Sequence, residues 1–241
     1  MRTIALDSSQ QFATPQSSTF SVDSSSGFFN QAMEVYKIGK SLTDRQLEIA
    51  NFWDCNPFNV NTSGHMLFAT KKLSPGGHWI NITKICCIKS SATLVKSAAA
   101  YLYTAIALYD GFIACWYVKY RDNLIRPETF INANIDAHWK PLLQTPPFPE
   151  YPSGHSVIST AAAIILTGFF GENFSFADDT EVPYGLPVRH FKSFMAAANE
   201  AANSRFYGGI HFKDAIINGQ KLGKEIGDYI VKKIPLSVNI Q

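Results

Sequence analysis

The sequence predicts an all-α fold, a helical bundle, from three observations. Its apolar segments lack the period-two alternation of half-buried strands, the segment from Ser91 to about Asp122 is too long for a strand, and no βαβ alternation or internal repeat appears. The chain has 241 residues, of which 46% are hydrophobic and 17% charged, so it can bury a sizeable core as one large domain or two small ones. With 21 Lys+Arg against 19 Asp+Glu the formal charge is +2, which excludes nucleic-acid binding on bulk charge. Charges are few, so any cluster of them needs a reason.

Residues 1–42 are rich in Ser, Gln and Thr and read as an irregular polar arm lying on something else, ahead of a helical domain over residues 43–241. Thr43 with Gln46 three residues later is a capping-box signature, and Leu47, Ile49, Ala50 and Trp53 follow as an apolar face, predicting a helix over 44–53. Asn56-Pro57 breaks it, and residues 56–77 read as a loop. His78 to Ile88 and Ser91 to Asp122 are apolar, the second read as one or two buried helices bent near Gly111. Pro127 ends that segment at Arg126, and six prolines make residues 127–152 a structured connector. A helix from Ser153 to about Phe170, a loop through Pro187, and helices over 189–204 and 212–233 complete the chain.

The longest apolar stretch, Val157–Phe170, has 14 residues, short of the ~20 that a membrane span needs, so no span is expected. Met1 to Leu6 leads into a polar stretch rather than an apolar run with a cleavage site, so no signal peptide is read in this chain. Cys55, Cys86, Cys87 and Cys115 lack any CxxC spacing, which leaves both buried thiols and one disulfide open.

Three short segments carry chemistry. In Lys119-Tyr-Arg-Asp-Asn-Leu-Ile-Arg126-Pro127 the two end cations are seven apart, two helical turns, which places both on one helix face. In Tyr151-Pro-Ser153-Gly154-His155-Ser156 a helix start offers free N–H groups to an anion, with His155 poised for acid-base work. In Ser204-Arg205-Phe-Tyr-Gly-Gly-Ile-His211-Phe-Lys-Asp214, Arg205 closes one helix, His211 opens the next, and Asp214 can orient its ring. Each alone has a plain structural reading: cations near a helix C-terminus complement its dipole, Ser153 is an N-cap, and His211 is a structural histidine. Together, two Arg, one Lys, a glycine-containing helix start and two His suit a tetrahedral oxyanion.

Lys119-x6-Arg126-Pro127, Pro152-Ser153-Gly154-His155 and Ser204-Arg205-x5-His211 resemble the three-part signature of the vanadium-dependent haloperoxidases and type 2 phosphatidic acid phosphatases. Pro75-Gly-Gly-His78-Trp-Ile-Asn81 resembles a segment upstream of the site in bacterial haloperoxidase-like proteins, which assigns His78 and Asn81 to lining or supporting the pocket. Trp116 and Phe148 resemble the aromatic pair beside the vanadate, the halide side of the pocket, and the whole looks most like bacterial iodide- or bromide-oxidising enzymes.

The resemblance implies vanadate as cofactor, with His211 as its protein ligand and Lys119, Arg126, Ser153, Gly154 and Arg205 around its oxygens. His155 assists proton transfer and Lys119 polarises bound peroxide for halide attack. Hydrogen peroxide and a halide are then the substrates, hypohalous acid the product, and the periplasm or exterior the location. The alternative is a soluble acid phosphatase acting through a phosphohistidine at His211, with His155 protonating the leaving alcohol. The family places an Asp four residues after the final His, where this chain has Asp214 three after. Its soluble members carry two helical bundles, so the arm before Thr43 is expected against an N-terminal bundle on another segment or chain, or in a homo-oligomer.

Overall fold

Ser26 starts the first helix, its hydroxyl accepting the Phe29 N–H at 3.1 Å, and α1 (Gly27–Gly39) buries Phe28, Ala32 and Val35 at spacings that share one face. In this computed structural model residues 2–12, 14–55 and 73–234 are described, with the backbone of 60–63 and 66–69. The expected irregular arm thus contains a helix, its three buried positions hidden among polar neighbours. The arm also packs on its own chain. The N–H groups of Ile4, Ala5 and Leu6 all donate to the buried carboxylate of Asp110, Arg121 donates to the carbonyls of Thr14 and Pro15, and the Tyr151 hydroxyl donates to the Pro15 carbonyl.

Helix α2 (Asp44–Phe52) carries the complete capping box of Thr43 and Gln46. Within the segment read as a loop, β1 (Val60–Ser63) pairs antiparallel with β2 (Met66–Ala69). Asn56, Pro57, Phe58, Gly64 and His65, also part of that expectation, lie outside the described residues. Helix α3 (Pro75–Lys89) starts earlier than expected because Ser74 caps Gly77 and Pro75 takes the first helical position, where its missing N–H costs nothing.

Helix α4 (Leu94–Asp122) is continuous through Gly111, where a Cβ would meet Ile158 at 3.4 Å, so the glycine serves helix contact rather than a bend. By length and composition alone one stretch, Leu94–Asn134, is long and apolar enough to cross a membrane, and 56% of its most apolar window is buried inside this fold, as in the core helix of a globular bundle. Its outward side shows Leu94, Val95, Leu102 and Tyr109, and a cavity of about 440 Å³ lies between Ser9 and α4 residues Tyr109, Phe112, Ile113, Trp116 and Tyr117. The proline-rich connector also holds a helix, α5 (Pro127–Asn134), again begun by a proline.

Helix α6 (Gly154–Phe170), capped by Ser153, is the central element: its faces are taken by α4 and by α7 (Phe194–Tyr207) and α8 (Lys213–Lys233). Between α6 and α7 a small antiparallel ribbon pairs β3 (Phe176–Asp178) with β4 (Arg189–Phe191) inside the expected loop. Contact with α8 is the closest: Gly219, Gly223 and Gly227 recur every four residues, and a Cβ at Gly223 would stand 2.2 Å from the Val157 carbonyl oxygen. Gly223→Ala forces these backbones apart and is expected to destabilise by about 3 kcal/mol, lowering Tm by about 6–12 °C in a thermal melt. An unchanged Tm contradicts the close packing.

Candidate active site

The connector before α6 is held by two buried cations. Lys119, in the last turn of α4, is fully buried and its Nζ donates to the carbonyls of Pro149, Glu150 and Pro152 at 2.8, 2.9 and 2.7 Å. An ammonium has three hydrogens, and all three are given to this loop. The ammonium is thereby fixed in place as a buried positive charge. Arg126 donates from Nε to the Phe148 carbonyl at 2.9 Å and from Nη1 to that of Ile210 at 2.8 Å. The two do not share a helix face: Asn123, with φ of 47°, ends α4, and Arg126 is the residue that caps α5. They reach one place from different elements.

His211 meets them there. Its Nδ1 lies 2.7 Å from Glu150 Oε1, which also accepts the Phe212 N–H at 2.9 Å, while its Nε2 lies 3.2 Å from Arg126 Nη1. Nδ1–H donation to the carboxylate leaves the lone pair on Nε2, facing the guanidinium. Asp214 does not orient this ring. Its carboxylate accepts instead from Ser18 Oγ and Gln31 Nε2, because the first turn of α8 turns it toward the arm. Glu150 is the functional residue that sequence reasoning missed; its one signal was an acid beside Tyr151-Pro-Ser-Gly-His.

Arg205, buried near the end of α7, donates from Nη2 to the Trp53 carbonyl at 2.8 Å and from Nε to Ser204 Oγ at 2.9 Å. Ser153 Oγ accepts the Ser156 N–H and keeps its own hydrogen to donate, and the Gly154 N–H, first of α6, has no intrahelical acceptor. His155, partly buried, is near enough to His211 to act on its charge. Trp116 and Phe148 also come together, ring centroids 5.0 Å apart, with Lys119 Nζ 5.7 Å from the first ring and 5.3 Å from the second. His78 and Asn81 do not join this group: His78 bonds Asp178, and Asn81 bonds Thr180.

Lys119 and Arg126 act on the buried carboxylate of Glu150, and all three cations act on His211, with Asp54 offsetting part of the charge of Arg205. Burial, reinforced by Arg126, pushes Lys119 down to about 8. Burial and the charge of Arg205 lower Arg126 to about 10, and burial lowers Arg205 as well. His211 is driven well below its ordinary value by burial and by Arg126, Lys119 and Arg205, so it stays neutral. Glu150 is raised to about 7 by burial, against the pull of Arg126 and Lys119. A multiply charged oxyanion would offset this excess, with a helix N-terminus, a hydroxyl and a neutral imidazole lone pair beside it. The donor set fits vanadate.

Comparisons with known proteins agree. A family model described as "VCPO second helical-bundle domain" matches residues 132–239. A crystal structure described as that of the first bacterial vanadium-dependent iodoperoxidase superposes with a TM-score of 0.91 and 49% identity, over 97% of this chain and 56% of that one. The chain belongs to the vanadium haloperoxidase family. A holo-type bacterial vanadium-dependent chloroperoxidase, at 17% identity and a TM-score of 0.75 over 97% of this chain and 53% of that one, shares the family fold. This chain therefore spans about half the length of the solved relatives it matches. No curated protein sequence matches it. The four cysteines are buried and free, resolving the open choice between thiols and a disulfide.

Two outcomes follow from this geometry. As pH rises, Glu150 gains negative charge near 7 and Lys119 loses positive charge near 8, so both weaken anion binding in the same direction. Calorimetric affinity for tungstate, whose charge is constant there, should fall from neutral to alkaline pH; a flat profile contradicts the assignment. Glu150→Gln should weaken vanadate retention in equilibrium dialysis by about 10–100-fold, as loss of a histidine's outer partner does, while Asp214→Asn leaves it near wild type. The reverse order would restore Asp214 as the orienting acid.

Proposed function

We propose that this chain forms the catalytic bundle of a vanadate-dependent haloperoxidase that oxidises iodide or bromide with hydrogen peroxide to hypohalous acid. The observation that carries the reading is the neutral His211, its Nδ1–H held by Glu150 and its Nε2 turned to a cluster of buried cations. Vanadate, when bound, supplies a Lewis-acidic centre that activates peroxide toward halide without a change of oxidation state.

The residues have distinct tasks. His211 offers Nε2 as ligand, and Glu150 keeps the ring in that tautomer. Arg126 and Arg205 supply guanidinium charge, and Lys119 adds charge while bracing the loop from Pro149 to Pro152. Ser153 and the Gly154 N–H donate to oxygens at the start of α6. His155 takes and returns the proton of peroxide. Trp116 and Phe148 provide an apolar wall beside Lys119 where a large, weakly hydrated halide is favoured over water. Iodide is the first choice, supported by the 49% identity to a protein described as an iodoperoxidase.

Vanadate-loaded protein assayed with hydrogen peroxide and iodide, bromide or chloride should turn over the first two. Hydrolysis of p-nitrophenyl phosphate, run alongside, should be absent or slow. His211→Ala should abolish both vanadate retention and halide oxidation. Phosphatase turnover inhibited by vanadate, with no halide oxidation, would reverse the assignment in favour of a phosphohistidine enzyme.

A further inference from the structure

A second cluster of ligating groups lies where α2 ends. We propose that Cys55, His78 and Glu181 form a binding site for a thiophilic divalent metal ion of the zinc class, with Asp178 orienting the imidazole. The three come from separate segments: Cys55 follows α2, His78 sits in the first turns of α3, and Glu181 follows β3. All are buried, with exposures of 2%, 0% and 0%.

The spacing is that of ligands on one ion. Cys55 Sγ lies 3.3 Å from His78 Nδ1 and 3.8 Å from Glu181 Oε1, and His78 Nδ1 lies 3.3 Å from Glu181 Oε1. Metal–ligand bonds of about 2.3 Å to sulfur and about 2.0–2.1 Å to nitrogen and oxygen give tetrahedral edges of about 3.3–3.6 Å. The outer shell fits as well. His78 Nε2 lies 2.8 Å from Asp178 Oδ2, and Asp178 Oδ1 accepts from the N–H and hydroxyl of Thr180, so the ring nitrogen facing the thiol and Glu181 is fixed as the inner one. Trp53 stacks on the imidazole, centroids 4.5 Å apart, and closes one side.

The donor set selects the ion. Thiolate and imidazole favour zinc over magnesium or calcium, and three protein donors leave one tetrahedral position for water. Binding displaces the thiol proton to solvent and requires a neutral imidazole, so metal replaces protons among groups that otherwise bring two carboxylates and a thiol against one buried ring. The site also touches the oxyanion pocket indirectly. Trp53, two residues before Cys55, supplies the carbonyl that holds Arg205. A metal at Cys55 thereby fixes the chain segment that positions one of the pocket's cations.

The full chain, stripped with a chelator under anaerobic conditions, is titrated with cobalt(II) and zinc(II). One equivalent of cobalt should produce a thiolate-to-cobalt charge-transfer band and the intense visible bands of tetrahedral cobalt, and zinc should displace it. Cys55→Ser should remove the charge-transfer band and weaken binding at least 100-fold, whereas Cys86→Ser, Cys87→Ser and Cys115→Ser keep both. Asp178→Asn should retain one equivalent with about 10–100-fold weaker affinity. Should Cys55→Ser not fold, the triple variant of the other three cysteines carries the test, since its remaining thiol is Cys55. No thiolate band in wild type or in that triple variant, or a band that survives Cys55→Ser, overturns the proposal. The readout is independent of vanadate and halide, so it stands apart from the haloperoxidase assignment.

Discussion

The approach of α8 to α6 is the constraint on which the pocket depends. With glycine at 219, 223 and 227 the two backbones come within a distance that a methyl group would forbid, and a Cβ at Gly219 would stand 2.9 Å from the Ser153 carbonyl oxygen. The Ser153 N–H donates to the Ala215 carbonyl at 3.0 Å across the same contact. The N-terminus of α6, with its free N–H groups, is thereby set beside the start of α8, where His211 and Phe212 meet Glu150. A wider contact would separate the helix dipole from the imidazole, and the anion site would lose one of its walls.

Architecture and electrostatics use the same side chains. Lys119 and Arg126 spend hydrogen bonds on the carbonyls of residues 148–152, which gives the proline-rich loop its shape and presents Glu150 to His211. Those cations remain charged at neutral pH in a buried setting, at the cost of desolvation seen in their lowered pKa values. Burying Lys119, Arg126 and Arg205 close to one another is unfavourable for stability alone and sensible for holding an anion. A pocket of this kind is prepared before its ligand arrives, so little reorganisation is needed on binding.

Where local chemistry sets local structure, the sequence was readable. The Thr43–Gln46 capping box and the Ser153–Gly154 helix start follow from residue type. The all-α class and the grouping of His211 with Arg126 were legible too. Spacing misled at Lys119 and Arg126, because the left-handed turn at Asn123 leaves no mark in a seven-residue interval. It misled again at Asp214, whose proximity in sequence to His211 lost to Glu150, 61 residues away. Cys55, His78 and Glu181 stand far apart in the chain, and nothing in their sequence neighbourhoods links them. Such pairings exist only once α3 has packed against β3.

One detail of the arm reaches further than its polar composition suggests. Asp110 is a fully buried carboxyl group in the apolar middle of α4, and its acceptors are satisfied by main-chain N–H groups of Ile4, Ala5 and Leu6. Those amides turn their N–H dipoles toward it much as a helix terminus would. The first residues therefore take the place of solvent for α4, giving a buried carboxyl group its hydrogen bonds nine residues before Lys119. Asp110 and Lys119 lie on one continuous helix, so the arm's anchoring point and a pocket cation belong to the same element.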